Sequence, residues 1–274
     1  MQAHRISPEQ RDEVLRFLRP ALDTNLFLVD ILTRRPPSAT LSETWFGIGA
    51  PLLAVAVVIG RAEPGAPARL VVPFGDAAAC EGIGACIRQD GPVSMLIGPR
   101  AACDGIWKGL GQTAPKTFFD QRLYRCTEIA AGHRLPIRLA TIEDAERIAP
   151  LSAAMMVEDL GEDPRAPDPA AYLESVRSRC ARSRTLLSMQ ERSICFLLNI
   201  GTFCDDGVQV GGTYVPPDFR GQGIATAGMR ASTATLLSLT RSVTLHVNEA
   251  NLPAVRCYER SGFVPASPFR LIIQ

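Results

Sequence analysis

Lysine is nearly absent from this chain. Only Lys108 and Lys116 occur, against 27 arginines. A P-loop needs a lysine directly after its glycines, and neither lysine stands there, so that nucleotide cradle is excluded. A Gly-x-Gly-x-x-Gly fingerprint early in the chain is missing too, which removes the dinucleotide fold. Excess charge is lacking: 29 basic against 28 acidic residues leave +1, which offers no basic face to nucleic acid. The arginines form no cluster long enough to demand a function, and their excess reads as composition bias. The eight cysteines contain no Cys-x-x-Cys pair, and no nearby histidine has metal-ligand spacing, so a zinc framework is not expected. Most of them sit in apolar or helical context and read as buried free thiols. Long hydrophobic runs are also missing. The longest, residues 46–60, contains Pro51 and is too short to span a bilayer. The first ten residues lack a signal-peptide core. A reducing, cytoplasmic setting with no membrane partner is therefore expected.

What is present is a globular composition, 46% hydrophobic and 21% charged, over 274 residues. That length suits one large domain or two ordinary ones. The stretch Ile129-Ala-Ala-Gly-His-Arg-Leu-Pro136 reads as a linker, which divides the chain into residues 1–130 and 131–274. In the second half, strands are expected at 137–139, 185–190, 193–203, 208–215, 242–248 and 263–273, the last of them completing that half. Helices are expected from Thr141, at 170–182, at 224–239, and from Asn251 to a stop at Gly262. The first half repeats the order: helices at 8–18 and 25–32, a hairpin of 44–48 and 52–61, then strands at 69–73, 93–97 and 117–127 around helices 77–89 and 101–110. The fold class expected is α/β, with two similar mixed-sheet domains in tandem.

One stretch carries chemistry. Between a strand pattern and a helix pattern lies Val215-Pro-Pro-Asp-Phe-Arg220-Gly221-Gln222-Gly223-Ile224-Ala225-Thr226. A glycine-rich turn that opens a helix leaves backbone N–H groups without partners at the positive end of the helix dipole. Such a turn suits a phosphate or pyrophosphate. Gly221 and Gly223 let oxygens approach the backbone, and Arg220 can add a charged fork. In the first half the equivalent place reads Pro73-Phe-Gly-Asp76, with one glycine and no preceding arginine. That half is expected not to hold the anion.

Downstream stand Asn251-x-x-Ala254-x-x-x-Tyr258-x-x-x-Gly262-Phe263. The order strand, Arg-x-x-Gly-x-Ala turn, helix, strand, Asn-x-x-Ala-x-x-x-Tyr-x-x-x-Gly-Phe resembles the GNAT superfamily of acyl-CoA-dependent N-acyltransferases. The motifs cover residues 208–274, and the looser pattern of strands and helices reaches back to about residue 134. The resemblance implies that the anion is the pyrophosphate of coenzyme A and that acetyl-CoA, the commonest donor in the family, is the co-substrate. It implies coenzyme contacts from Thr213, Tyr214, Val215, residues 220–226, Asn251 and Ala254. It places Tyr258 beside the coenzyme sulfur as the general acid, and it calls for no metal. The tandem layout resembles mycothiol synthases broadly.

Acetyl transfer to an amine sets three tasks. The oxyanion needs a donor, here a backbone N–H at the end of the Gly211-Gly212-Thr213-Tyr214-Val215 strand, where glycines permit a bulge. The thiolate needs a proton donor, Tyr258. The amine must lose a proton. The strand before the turn carries no carboxylate, and Glu158, Asp159 and Glu162 are the candidates nearest the acceptor side. His246 is expected to be a packed, hydrogen-bonded histidine rather than the base. The acceptor is a primary amine of a small molecule or of a protein. A non-catalytic acyl-CoA-binding or regulatory module, and a first half that serves as a homodimer interface, stand beside this reading.

Overall fold

The computed structural model describes residues 2–34, 41–61 and 69–274. The chain gathers into two compact units. One contains Met1–Leu123, His246–Asn251 and Pro265–Gln274, and the other contains Tyr124–Leu245 and Leu252–Val264.

The first unit begins with β1 (His4–Arg5), α1 (Arg11–Leu18) and α2 (Leu22–Thr33), followed by β2 (Leu41–Ile48), β3 (Ala54–Arg61) and β4 (Leu70–Gly75). It continues through α3 (Ala77–Ile87), β5 (Met95–Pro99), α4 (Arg100–Leu110) and β6 (Thr117–Cys126), whose last three residues count with the second unit. Strands β1 to β4 pair antiparallel in sequence, and β4 pairs parallel with β5. Strand β3 shows why the sheet is covered on both faces. Ala54, Ala56 and Val58 join one core with Ile83, Ile87, Ile106 and Leu110 of α3 and α4. Val55, Val57 and Ile59 join the opposite core with Val14, Leu18, Leu28 and Val29 of α1 and α2. This is the period-two alternation of a strand buried on both faces, and it reads in sequence as one apolar run.

The second unit holds β7 (Arg138–Leu139), α5 (Ala145–Leu160), α6 (Pro169–Ala181), β8 (Thr185–Gln190), β9 (Ser193–Cys204) and β10 (Gly207–Tyr214). It closes with α7 (Ile224–Leu237), β11 (Val243–Asn248) and α8 (Leu252–Ser261), before the last strand, β12 (Val264–Ile273). Strands β7 to β10 pair antiparallel, and β10 pairs parallel with β11 over Val208–Val210. Helices α5 and α6 cover one face, where Ile148 and Val176 pack in one core with Leu187 of β8. Helix α7 covers the other, where a Cβ on Gly228 would come within 2.5 Å of the Phe196 ring. That helix therefore needs glycine at its point of closest approach to the sheet.

The elements expected from sequence are present, with ends shifted by a few residues, and the α/β tandem reading holds. One connection differs. The last strand was expected to complete the second half, but β12 pairs antiparallel with β5 of the first unit, from Phe269 opposite Pro99 to Ile273 opposite Met95. Parallel pairing with β4 leaves the other edge of β5 open, and the apolar run 269–273 fills it. Among the described residues, no helix is long and apolar enough to cross a membrane. All eight cysteines are free thiols, five of them buried.

Candidate active site

The site is built where β10 ends. Against β9, Gly211 pairs with Asn199 and Tyr214 with Leu197, so β10 carries one residue too many between them. Gly212 absorbs it at φ +57°, in the left-handed region that favours glycine. This is the bulge expected from the paired glycines. Pro216 and Pro217 then end the ladder, since neither has an N–H to offer.

The turn that follows opens α7. Gly221 and Gly223 both have φ +76°, and nothing lies within 4 Å of where a Cβ would stand on either. Space alone would admit a side chain, but the backbone conformation penalises one. Gly223 is the N-cap residue and supplies no side-chain acceptor. The first intrahelical bond is that of the Ala227 N–H to the Gly223 carbonyl, 3.0 Å. The N–H groups of residues 223–226 therefore precede the ladder and point out of the helix end. A cavity of about 260 Å³ opens beside them, lined by Gln222, Gly223, Ile224, Ala227 and His133. His133 comes from segment 129–136, which counts within the second unit and is held by the Leu135 N–H donating to the Ala227 carbonyl at 3.3 Å. No spacing in the sequence marked His133 as a neighbour of this turn.

Helix α8 meets the same region. Ala254 and Tyr258 lie one turn apart on it, and Gly262 at φ +103° ends it. The Thr226 hydroxyl lies 3.7 Å from Cys257 Sγ, and the Ser261 hydroxyl lies 3.4 Å from the Thr226 carbonyl. Tyr258 is 9% exposed, and its ring lies 6.1 Å from that of Phe263. Its hydroxyl shares a hydrogen bond with the Thr213 side chain. Burial pushes the Tyr258 phenol up to about 12, and the nearby charge of Asp159 acts in the same direction. Strand end, cradle and tyrosine thus converge through Thr213, Thr226 and Tyr258. Asn251 directly precedes α8 but counts with the first unit, where its N–H donates to the Asn248 carbonyl at 2.9 Å.

Arg220 takes a different partner from the expected anion. Its Nη2 donates to both carboxylate oxygens of Glu158, at 2.9 and 2.8 Å, and its Nε donates to the Val215 carbonyl at 3.0 Å. The Tyr214 hydroxyl donates to the same Glu158 carboxylate at 2.9 Å. This three-residue cluster ties the end of α5 to the end of β10. Its members lie 56 and 62 positions apart, so no local spacing announced it. Among the acidic candidates, Glu158 is thus paired with Arg220, whereas Asp159 is exposed, and partial desolvation with the neighbouring Glu158 charge shifts its carboxyl up. His246 stacks on Phe269 at 4.2 Å, and desolvation lowers it to about 4, so it stays neutral and packed. No cluster of three metal-ligating side chains occurs among the described residues.

With that geometry in place, comparison with known proteins gives a consistent assignment. Residues 193–263 match the model of the Acetyltransferase (GNAT) family. No curated protein matches the chain. Among solved structures, a tandem GNAT protein from the clavulanic acid biosynthesis pathway aligns with 100% of this chain and 98% of its own, at TM-score 0.60 and 12% identity. A GCN5-related N-acetyltransferase from Sphaerobacter thermophilus aligns over 99% and 94%, at TM-score 0.63 and 16% identity. An acetyltransferase of the GNAT family from Colwellia psychrerythraea aligns over 100% of both chains, at TM-score 0.59 and 13% identity. At these identities the likeness is one of fold, and it extends over both units.

Proposed function

We propose, from the match of residues 193–263 to the GNAT acetyltransferase family, that the chain transfers an acetyl group from acetyl-CoA to a primary amine by direct attack. The family acts by acyl-CoA-dependent N-acetyl transfer. The observation that carries the reading for this chain is the bare first turn of α7: a glycine N-cap, outward N–H groups and open space. A pyrophosphate fits those backbone donors, while the Arg220 side chain is already paired with Glu158. Backbone amides of residues 221–226 hold it. The strand end Thr213-Tyr214-Val215 and Ala254 of α8 line the pantetheine arm, and Asn251, the residue before α8, hydrogen-bonds it. The Gly212 bulge frees a strand N–H for the developing oxyanion.

Tyr258 is the proton donor. A phenol pushed up to about 12 keeps its proton throughout the neutral range, so it is always in the donating form. A free thiol titrates near ~8.5, but a dry site raises the thiol too, which narrows the gap between donor and leaving group. Asp159, exposed at the end of α5 and shifted up by partial desolvation and the Glu158 charge, is the carboxylate best suited to take the amine proton. All these groups except Asn251 belong to the second unit, and all lie after residue 130. The division of labour proposed is therefore a coenzyme-binding part, residues 131–274, and a degenerate copy, residues 1–130.

The test is thiol release from acetyl-CoA over a panel of small amines and lysine peptides. The wild type turns over, and Tyr258→Phe lowers kcat by roughly 100-fold while coenzyme affinity stays within about twofold. The absence of a carboxylate on β10 favours one rival, a module that binds acyl-CoA without turnover. Full coenzyme binding with no thiol release from any acceptor would select that rival.

A further inference from the structure

A second cavity in the same unit lies at the opposite end of α7. It measures about 310 Å³, and its apolar lining includes Leu186, Ile200, Phe203 and Leu236. Two large apolar side chains at its rim remain exposed, Leu139 at 46% and Leu239 at 64%. Leu236 lies twelve residues along α7 from Ile224, about 18 Å at the helical rise. This is not the coenzyme cradle.

The charged wall of the cavity is the turn after α6. Arg182, Ser183 and Arg184 line it, and no acidic side chain does. The turn is built firmly. Ser183 adopts φ +55°, an uncommon conformation for a residue with a side chain. It is held by the Ser183 N–H donating to the Cys180 carbonyl at 2.9 Å and the Arg184 N–H donating to the Arg179 carbonyl at 3.0 Å. The Ile200 N–H in turn donates to the Arg184 carbonyl at 2.8 Å. The guanidinium of Arg184 lies 5.7 Å over the Phe203 ring. Its Nη1 is buried and has no hydrogen-bond partner among the described residues. A buried, unsatisfied charged donor beside an apolar cavity is costly unless something completes it.

We propose that this cavity binds a small organic anion, a carboxylate with a short apolar tail. The carboxylate accepts from the guanidinium groups of Arg184 and Arg182, and the tail lies against Ile200, Phe203 and Leu236. A volume of 310 Å³ is at the small end of ligand sites, which span ~300–1,000 Å³, so the tail is short, about eight to ten carbons. The site is independent of the acetyl-transfer reading, because it uses no residue of the cradle and none near Tyr258.

The experiment is calorimetric titration of the full chain with decanoate, decanol as the uncharged probe, and Arg184→Met and Leu239→Glu as variants. Decanoate binds once per chain, and decanol binds at least about tenfold more weakly. Arg184→Met weakens decanoate by about 10- to 100-fold, the range for a charge-assisted hydrogen bond. Leu239→Glu weakens it in the same direction by placing a like charge at the rim. The thermal midpoint of Arg184→Met stays level or rises, since an unsatisfied buried donor has been removed. Saturating coenzyme A leaves decanoate affinity within about twofold. The proposal is overturned if the wild type gives no decanoate heat, or if Arg184→Met binds as tightly as wild type. Displacement by coenzyme A overturns it too, because the cavity would then belong to the coenzyme site. So does sedimentation as a dimer that excludes decanoate, which would assign the groove to a second copy.

Discussion

Helices α3 and α7 each follow a strand of a mixed sheet, and their first turns are finished in opposite ways. At α3 the N-cap is Asp76, whose carboxylate accepts from the Ala79 N–H at 2.9 Å. At α7 the N-cap is Gly223 in the left-handed region, with no side chain to offer. Both ends carry the positive pole of a helix and the same orphan donors. The first unit satisfies its own helix with a fixed internal anion. The second supplies no such anion at α7. Other starts in the second unit side with α3: Asp168 caps α6 through the N–H groups of Ala170 and Ala171, and Asp144 closes on Thr141 ahead of α5. Within the second unit the bare end of α7 differs from these two starts; in the first unit α4 also begins without a side-chain cap, at Pro99, but without a glycine there. On the proposed function, exchanging this one N-cap residue removes the coenzyme site while sheet and helices stay unchanged.

The sharpest way to break this comparison is to give α7 the cap of α3. Gly223→Asp puts a carboxylate where the pyrophosphate would sit. Left-handed backbone costs a non-glycine residue about 1–2 kcal/mol, and a good cap returns about 1, so stability changes little. Coenzyme A affinity should fall by at least about 100-fold, the equivalent of two lost charge-assisted hydrogen bonds. Calorimetry with coenzyme A and a thermal melt measure the two sides. Unaltered affinity in a folded variant would mean that the cradle lies elsewhere.

Much of this contrast could be read from sequence, for a definite reason. Arg220-Gly-Gln-Gly223, Asp76 and the Asn251 to Gly262 run are local features, and caps, glycine turns and helix stops act within a few residues. The bulge at Gly212 was legible for the same reason. What escaped acts across the fold. Arg220 could not be assigned to Glu158, because that choice depends on where the end of α5 arrives. The hydrogen bond of Thr213 to Tyr258, the placing of His133 beside Gly223 and the pairing of β12 with β5 are likewise settled by topology. Strand 264–273 has the same apolar pattern whichever unit it joins, so pattern alone could not choose its partner.

A filled helix start should also show in its response to acid, which α7 cannot share. The Asp144 carboxylate receives Arg138 at 2.6 and 2.8 Å and the Thr141 N–H at 2.8 Å. The Arg138 hydrogen bonds hold it down at about 2, against an ordinary 3.8. A carboxyl depressed in the folded state stabilises above its unfolded pKa, and that stability is lost as pH falls through the folded one. The contribution is about 2 kcal/mol, present near pH 6 and removed between about pH 4 and 2. Asp144→Asn should cost about that much in urea unfolding at pH 7, and its curve should converge with wild type near pH 2. An equal penalty at both pH values would place the effect in lost shape rather than charge.

The smallest expected effect tests whether an open helix end is enough. Asp76→Ala removes the cap of α3 and should cost about 1 kcal/mol in urea unfolding. It exposes the same kind of N–H groups that α7 presents. Yet coenzyme A should still bind once per chain, because the amides alone hold only one end of a long ligand. In the proposed site the strand bulge at Gly212, the Thr213 hydroxyl and the buried Tyr258 serve the rest of it. Strand β4 before α3 runs in unbroken register against β3, from Leu70 opposite Ile59 to Gly75 opposite Ala54. It has no irregularity there that could release a strand N–H. A second molecule of coenzyme A on Asp76→Ala would mean that one carboxylate is the whole difference between the two units; a stoichiometry of one means that the splayed strand end matters as much as the bare helix.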